Sequence, residues 1–141
     1  MSFLFLSCSK KTGAKQTSSK LAEPIIISFL NGSEDIDGCG EYIIDVNDTI
    51  GSQKYLFLSN LSEFGIVNLD GKKQKLYKDT IESKLINDKE YLSVYKNAEY
   101  KVKLNLSLEK SYDEGGIYQG KMTVIKGEKQ IEKKVHGACG C

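Results

Sequence analysis

Apolar and polar residues alternate along most of the chain after Glu23, with a period of two residues rather than 3.6. In the run 98–108, one face carries only large apolar residues and the other carries charged or polar ones. The apolar residues are Tyr100, Val102, Leu104, Leu106 and Leu108. A period of two places successive side chains on opposite faces of a strand. The run therefore predicts a half-buried antiparallel strand.

Similar patterns predict further strands at 24–30, 42–46, 54–58, 64–69, 72–77, 91–95, 117–126 and 129–136. Asp70-Gly71, between two of these runs, is a strong signal for a tight hairpin. Only the segment Asp79–Asn87 is predicted to form a short helical turn. About eight strands with turn signals at short intervals predict an all-β fold, either a small antiparallel barrel or a sandwich.

The N-terminus carries a different pattern. Residues 1–8 form a short apolar stretch that ends in Ser7 and Cys8. The segment Leu4–Cys8 resembles the lipobox of bacterial lipoproteins, in which small residues precede an invariant cysteine. The resemblance implies that Cys8 is lipidated, and that residues 1–7 are the remnant of a signal peptide. Because the apolar stretch is shorter than a complete signal, we expect the native start to lie upstream of Met1.

The segment that follows this stretch is basic. Residues 9–20 contain four of the chain's 20 lysines, no acid and no large apolar residue. Such a segment cannot bury enough apolar surface to offset its ordering entropy. We therefore expect residues 8–22 to be a disordered, flexible tether whose lysines favour an anionic lipid surface. The remaining 16 lysines and the 19 acids give the predicted domain, residues 23–141, a charge of about −3.

Composition excludes several classes of function. The formal net charge of +1 argues against a nucleic-acid-binding protein, which needs an excess of basic residues. With a single histidine, the chain cannot build a metal site from two or three imidazoles. No nucleophile elbow or phosphate-binding loop occurs in the sequence. We therefore predict that the protein is not an enzyme and has no cofactor.

The cysteines other than Cys8 offer two alternatives. Because export implies an oxidising compartment, we expect Cys39 to form a disulfide with Cys139 or with Cys141. A bridge of either kind would tie the C-terminus to the start of the folded domain. The alternative hypothesis is a Zn²⁺ or Cu(I) site, in which His136 joins Cys39, Cys139 and Cys141. The strand period argues against it, since it places His136 on the same outer face as Glu132 and Lys134.

Two segments resemble the membrane-bound inhibitors of c-type lysozyme, which are small lipid-anchored β-barrels. These are Gly65–Leu76, which contains the Leu-Asp-Gly hairpin, and the stretch from Gly115 to the Lys126-Gly127 turn. The resemblance implies that Gly116, Tyr118 and Lys126 belong to an inhibitory motif. Gly115 stands where that family has its enzyme-contacting serine, so the match is partial.

These observations predict a non-enzymatic, lipid-anchored protein of the bacterial cell envelope, outside the cytoplasm, with a binding or structural role. The expected partner is the membrane, through the lipid anchor, and a further partner is an envelope protein or a lysozyme-like hydrolase. One alternative is an inhibitor of a lysozyme or another cell-wall hydrolase. A second alternative is a thiolate metal-binding protein.

Overall fold

The computed structural model describes residues 23–30, 32, 36 and 38–140, which form ten strands and no helix. The strands are β1 (Ile27–Ser28), β2 (Gly40–Asp45), β3 (Tyr55–Ser59), β4 (Phe64–Leu69), β5 (Lys72–Lys78), β6 (Lys84–Asn87), β7 (Glu90–Lys96), β8 (Lys101–Tyr112), β9 (Gly115–Lys126) and β10 (Lys129–Gly140). The all-β prediction is therefore confirmed. Nowhere in these ranges does a helix reach the length and apolarity that a membrane crossing requires.

Eight of the strands close into a barrel. Starting from β2, the ring runs through β3, β4, β5, β7, β8, β9 and β10, and β10 pairs with β2 again. Every pairing is antiparallel. The two remaining strands lie outside the ring, β1 on β4 and β6 on β7. Of the two predicted architectures, the chain therefore adopts the barrel.

Alternate side chains of the eight strands fill the barrel interior. Those that are inaccessible to solvent include Phe57, Val67, Leu69, Leu76, Tyr95, Val102, Leu104, Leu106, Met122, Val124 and Val135. The alternation predicted for 98–108 is present in β8, where Val102, Leu104 and Leu106 point inward. Complete burial of each such side chain contributes about 1.5–3 kcal/mol of hydrophobic free energy. The middle of the barrel is thus packed with side chains and is not a channel.

A second, smaller apolar cluster lies outside the barrel wall. Leu58 of β3 and Ile66 of β4 are opposite each other and face outward. Leu30 and Ile36, from the chain that precedes β2, cover them. This segment therefore seals an apolar outer face of the barrel that would otherwise be exposed to water.

Two predictions of local structure are wrong in part. The helical turn predicted for Asp79–Asn87 is limited to its start, where the amide of Ser83 donates to the carbonyl of Asp79, and Lys84–Asn87 is strand β6. Asp79 Oδ1 accepts hydrogen bonds from the amides of Ile81 and Glu82, and this closes the turn. β5 pairs only with Tyr95 and Lys96 at the end of β7. β6 pairs with the start of β7 on the same side, which provides partners for the backbone groups there.

The strand predicted at 24–30 is reduced to the two residues of β1. Only Ile27 and Ser28 pair with β4. The amide of Leu30 instead donates to the carbonyl of Tyr55, at the start of β3. The segment therefore crosses from one barrel strand to the next instead of following either of them.

Candidate functional site

Cross-strand pairing brings three polar side chains together inside one end of the barrel. Cys139 of β10 lies directly opposite Glu41 of β2, and Glu41 lies opposite Ser59 of β3. Side chains of directly opposed residues in an antiparallel pair are nearest neighbours on the same face. We call this end of the barrel the Glu41 end.

Glu41 is the most buried charged residue of this end, with no exposure to solvent. The Ser59 hydroxyl donates to Glu41 Oε1 at 3.0 Å, and the Tyr91 hydroxyl donates to Oε2 at 2.6 Å. Within the described residues no basic side chain forms an ion pair with it. Burial raises the pKa of Glu41, and this effect outweighs the opposing hydrogen bonds from Tyr91 and Ser59 and the more distant charge of Lys78.

The Cys139 side chain carries a free thiol and is partly exposed. Burial, together with the neighbouring Glu41 carboxyl, raises the pKa of this thiol to about 11. The thiolate is the nucleophilic form of cysteine, so at neutral pH Cys139 is a weak nucleophile. Its side chain is a polarisable, weakly polar part of this end of the barrel.

Tyr95 adds a hydroxyl that has no hydrogen bond. Its ring is inaccessible to solvent and packs against Phe57 with 5.1 Å between ring centroids. Its Oη lies near the Ser59 hydroxyl, but the two do not form a hydrogen bond of normal geometry. Burial, and then the nearby Glu41 charge, raise the pKa of Tyr95. An unsatisfied buried hydroxyl is uncommon in proteins, because it loses its bonds to water without replacing them.

A solvent-accessible pocket of about 440 Å³ opens in front of this polar layer. Two lysines, four hydroxyl side chains, three leucines and the thiol line it. They are Lys78, Lys84, Thr80, Ser83, Tyr91, Ser93, Leu61, Leu85, Leu92 and Cys139. We call this cavity the Cys139 pocket. Its size is within the range of pockets that bind small molecules.

The Lys78 ammonium is held in place at the Cys139 pocket. Its Nζ donates to the carbonyl of Leu61 at 2.8 Å. Because an ammonium has three donor hydrogens, two remain for a ligand or water. The Cys139 thiol, with its raised pKa, is neutral at pH 7, so the pocket lining combines the fixed Lys78 cation with hydroxyl and thiol groups. This arrangement suits recognition by charge and hydrogen bonds.

The opposite end of the barrel, which we call the Asp70 end, also holds a carboxylate beside a tyrosine. Asp70 Oδ2 accepts a hydrogen bond from the Tyr100 hydroxyl at 2.7 Å, and Oδ1 accepts one from the amide of Ile26 at 3.0 Å. Lys126 Nζ lies 3.7 Å from Oδ2. The hydrogen bonds from Tyr100 and Ile26, aided by the charge of Lys126, lower the pKa of Asp70.

The structure corrects the predicted cysteine pairing. Cys39 is disulfide-bonded, whereas the Cys139 thiol is free, so a Cys39–Cys139 bridge is wrong. The reason is that Cys139 lies opposite Glu41 rather than opposite Cys39. The other two cysteines of the sequence hypotheses, Cys8 and Cys141, lie outside the described residues.

The proposed thiolate metal set is not assembled by the described residues. His136 and Cys139 are three positions apart on β10, so their side chains point to opposite faces of the barrel wall. His136 faces outward, as its strand phase predicts, and its Nε2 lies 2.7 Å from the carbonyl oxygen of Asp48. Across the described ranges no three candidate ligands cluster in a way that would hold a metal ion.

The residues of the lysozyme-inhibitor resemblance do not share a surface. Gly116, Tyr118 and Lys126 all belong to β9. Tyr118 points into the barrel, where its ring packs edge-on against Tyr91, and Gly116 packs so closely on Leu108 that an added Cβ would lie 2.7 Å from it. Lys126 lies at the other end of the strand, beside Asp70. These positions serve the barrel itself, rather than one exposed motif.

Sequence reasoning missed most of this site. It did not single out Glu41, Ser59, Lys78, Tyr91 or Tyr95 as site residues. One signal was present: Glu41 is in phase with Ile43, so a strand that includes it places a carboxyl among inward-facing residues. The other positions come together only through the pairing of distant strands.

Comparison with known proteins provides no relative. The chain matches no protein family, no curated protein and no solved structure.

Proposed function

We propose that this chain is a lipid-anchored protein of the bacterial cell envelope, whose barrel is a non-enzymatic binding module. The binding site is the Cys139 pocket with the polar layer behind it. The observation that carries this proposal is the buried Glu41 carboxyl, whose hydrogen-bond partner Tyr91 lines an open pocket together with Cys139 and Lys78.

The free-energy cost of burying polar groups supports a binding role for the Glu41 end. Burying a carboxyl or a hydroxyl without full compensation costs free energy, and an apolar side chain would fill the same space without that cost. The middle of the same barrel is filled by apolar residues such as Leu104 and Met122. Polar groups are therefore concentrated where the barrel meets a pocket, as in sites that use a few polar groups to orient a ligand.

Two features support an envelope location. Leu4–Cys8 resembles a lipobox, and disulfides such as that of Cys39 persist in oxidising compartments outside the cytoplasm. We propose Cys141 as the partner of Cys39. Gly40 pairs with Gly140, so the next position of the same register would set 141 opposite 39.

The binding role is tested by nuclear magnetic resonance on the full chain carrying Cys8→Ser. The probes are aliphatic carboxylates, aliphatic amines, hexoses and acetylated dipeptides. We expect at least one class to shift the amide signals of Leu92, Ser93 and Cys139 in a saturable way. Signals of Tyr100 and Lys126, at the Asp70 end, are the internal control. If no class gives saturable shifts at the pocket, the binding role is wrong.

The anchor is tested separately by growing the bacterium with an alkyne-bearing fatty acid. The wild-type chain should become labelled, and Cys8→Ser should abolish the label. Cys139→Ser, which changes another thiol, should keep it. Labelling that persists in the Cys8 variant, or is lost in the Cys139 variant, would contradict lipidation at Cys8.

A further inference from the structure

The charged side chains that line the Cys139 pocket are all basic. Both of its ionisable groups with a formal charge, Lys78 and Lys84, are basic, and no carboxylate of the described chain is among its lining residues. Glu41 lies behind the lining and is inaccessible to solvent, and Asp79 and Glu82 form ion pairs with other lysines. The charged side chains of the lining are therefore all basic, although the domain as a whole carries more acids than lysines.

The two pocket lysines also differ from several other lysines of this protein, which form ion pairs. Lys96, Lys101, Lys121, Lys126 and Lys133 each lie within 4 Å of a carboxylate oxygen. Neither Lys78 nor Lys84 forms an ion pair with any described residue. Glu82, which is close in sequence to Lys84, instead contacts Lys101 at 3.0 Å and Lys96 at 3.8 Å. The charges of the pocket lysines are thus available to a ligand.

The remaining lining limits the size and shape of that ligand. Leu61 and Leu85 provide apolar surface, while Phe57, Leu104 and Leu106 fill the barrel interior completely. A long acyl chain therefore has no cavity to enter. The chain has no arginine, and only Lys78 is fixed by a hydrogen bond, so the pocket provides one well-placed cation rather than a multidentate phosphate site.

We infer that the Cys139 pocket binds a small amphipathic carboxylate. Its carboxylate contacts the Lys78 ammonium, and its short apolar part lies on Leu61 and Leu85. Neutral hydroxyls of Tyr91 and Ser93 complete the polar side of the pocket. This inference rests on the proposed binding function and specifies its ligand class.

The test compares three six-carbon probes of equal length: hexanoate, hexylamine and hexanol. Each is titrated into the full chain carrying Cys8→Ser while the amide signals of Leu92, Ser93 and Cys139 are followed. We expect hexanoate to bind most tightly, and its affinity to fall with added salt because the contact with Lys78 is partly exposed. Tighter binding of hexylamine or hexanol at these amides would overturn the ligand class and leave the binding function intact.

Matched lysine variants locate the contact. Lys78→Met should weaken hexanoate binding about tenfold, the loss expected for one charge-assisted hydrogen bond. Lys78→Arg should keep most of the affinity. Lys72→Met removes an exposed lysine at the other end of the same strand and should have no effect. Equal loss in Lys72→Met and Lys78→Met, or no loss in either, would overturn the inference.

Lys84→Met provides a second test, in case Lys78→Met disturbs the end of β5. Lys84 is exposed, so its removal should cause a smaller loss of affinity with the fold unchanged. If neither lysine variant changes the affinity for hexanoate, or if all three probes leave the pocket amides unshifted, the carboxylate inference is wrong. The broader probe panel then decides separately whether the barrel binds any small molecule.

Discussion

The two ends of the barrel use the same hydrogen bond with opposite electrostatic results. At each end a tyrosine hydroxyl donates to a carboxyl oxygen, at 2.6 Å for Tyr91 and Glu41 and at 2.7 Å for Tyr100 and Asp70. Yet the pKa of Glu41 is raised and that of Asp70 is lowered. The tyrosine bond cannot explain the difference, because it is shared.

Differences in solvation and in nearby positive charge explain the opposite pKa shifts of Glu41 and Asp70. The Asp70 side chain keeps 29% of its exposure and lies near the Lys126 ammonium. Glu41 is completely buried, and its nearest cation, Lys78, is bonded to a backbone carbonyl. Burial disfavours the charged form more than one tyrosine bond favours it. One end of the barrel is thus an ordinary surface ion pair, and the other is a buried polar layer beside a cationic pocket.

The largest effect should come from placing a cation at Glu41. Glu41→Lys buries an ammonium without a partner, and we expect a loss of about 3 kcal/mol or more in the free energy of unfolding. Glu99→Lys makes the same charge change at the Asp70 end, on a side chain that is 61% exposed, and should cost about 0.5 kcal/mol or less. Urea denaturation of both variants measures the difference. Similar losses would mean that the two ends do not differ in burial.

Removing the two tyrosine hydroxyls should give unequal but smaller losses. Tyr91→Phe leaves Glu41 Oε2 without its donor in a buried site, at a cost of about 1–3 kcal/mol. Tyr100→Phe affects a carboxylate that water and Lys126 still reach, so we expect about 1 kcal/mol or less. Equilibrium unfolding at pH 7 provides the comparison. A larger loss in Tyr100→Phe would contradict the assignment of the ends.

The dependence of stability on pH should have opposite signs at the two ends. Glu41 has a raised pKa when folded, so its unfolded form releases its proton first and stability falls as pH rises above 4.5. Asp70 has a lowered pKa when folded, so its contribution is complete above 3.8 and is lost as pH falls below that value.

Isosteric variants separate these two contributions. Glu41→Gln should flatten the decline of unfolding free energy above pH 4.5, and Asp70→Asn should flatten the decline at low pH. Unfolding free energies measured from pH 2 to pH 8 for both variants and the wild type supply the test. If the free energy of unfolding of Glu41→Gln still declines above pH 4.5 as in the wild type, another group titrates in that range.

The smallest effect on stability should come from Tyr95→Phe. The lost hydroxyl has no hydrogen-bond partner, so its removal should change the free energy of unfolding by less than about 0.5 kcal/mol or should increase it. Thermal and urea denaturation measure the change. A loss above about 1 kcal/mol would mean that the Tyr95 hydroxyl forms a bond that stabilises the empty barrel.

The sequence predicts the local elements better than the site. The bounds of β4 match the prediction because Asp70-Gly71 fixes the end of the strand, and the inward face of β8 follows from its alternation. β10 continues past the predicted end at His136 to Gly140. The sequence does not predict this extension, because Gly137 and Gly140 have no side chain and interrupt the alternation of apolar and polar residues. Position 137 requires glycine, because the Cβ of any other residue would lie 2.2 Å from the carbonyl oxygen of Tyr42.

That extension of β10 creates the site. It places Cys139 inside the barrel and opposite Glu41, which lies near the start of β2 and 98 positions away in sequence. A period of two tells which face a residue occupies but not which strand lies next to it. Closure of the barrel, and with it the meeting of Glu41, Tyr91 and Cys139, depends on pairings that no local pattern encodes.

The most direct test of this account is the pKa of Glu41, followed through its carboxyl carbon by nuclear magnetic resonance with and without hexanoate. The account predicts a pKa above 4.5 in the free protein, and a further increase when hexanoate binds, because a second negative charge disfavours ionisation of Glu41. A pKa at or below 4.5, or a decrease on adding hexanoate, would contradict a carboxyl whose pKa is raised by burial behind an anion-binding pocket.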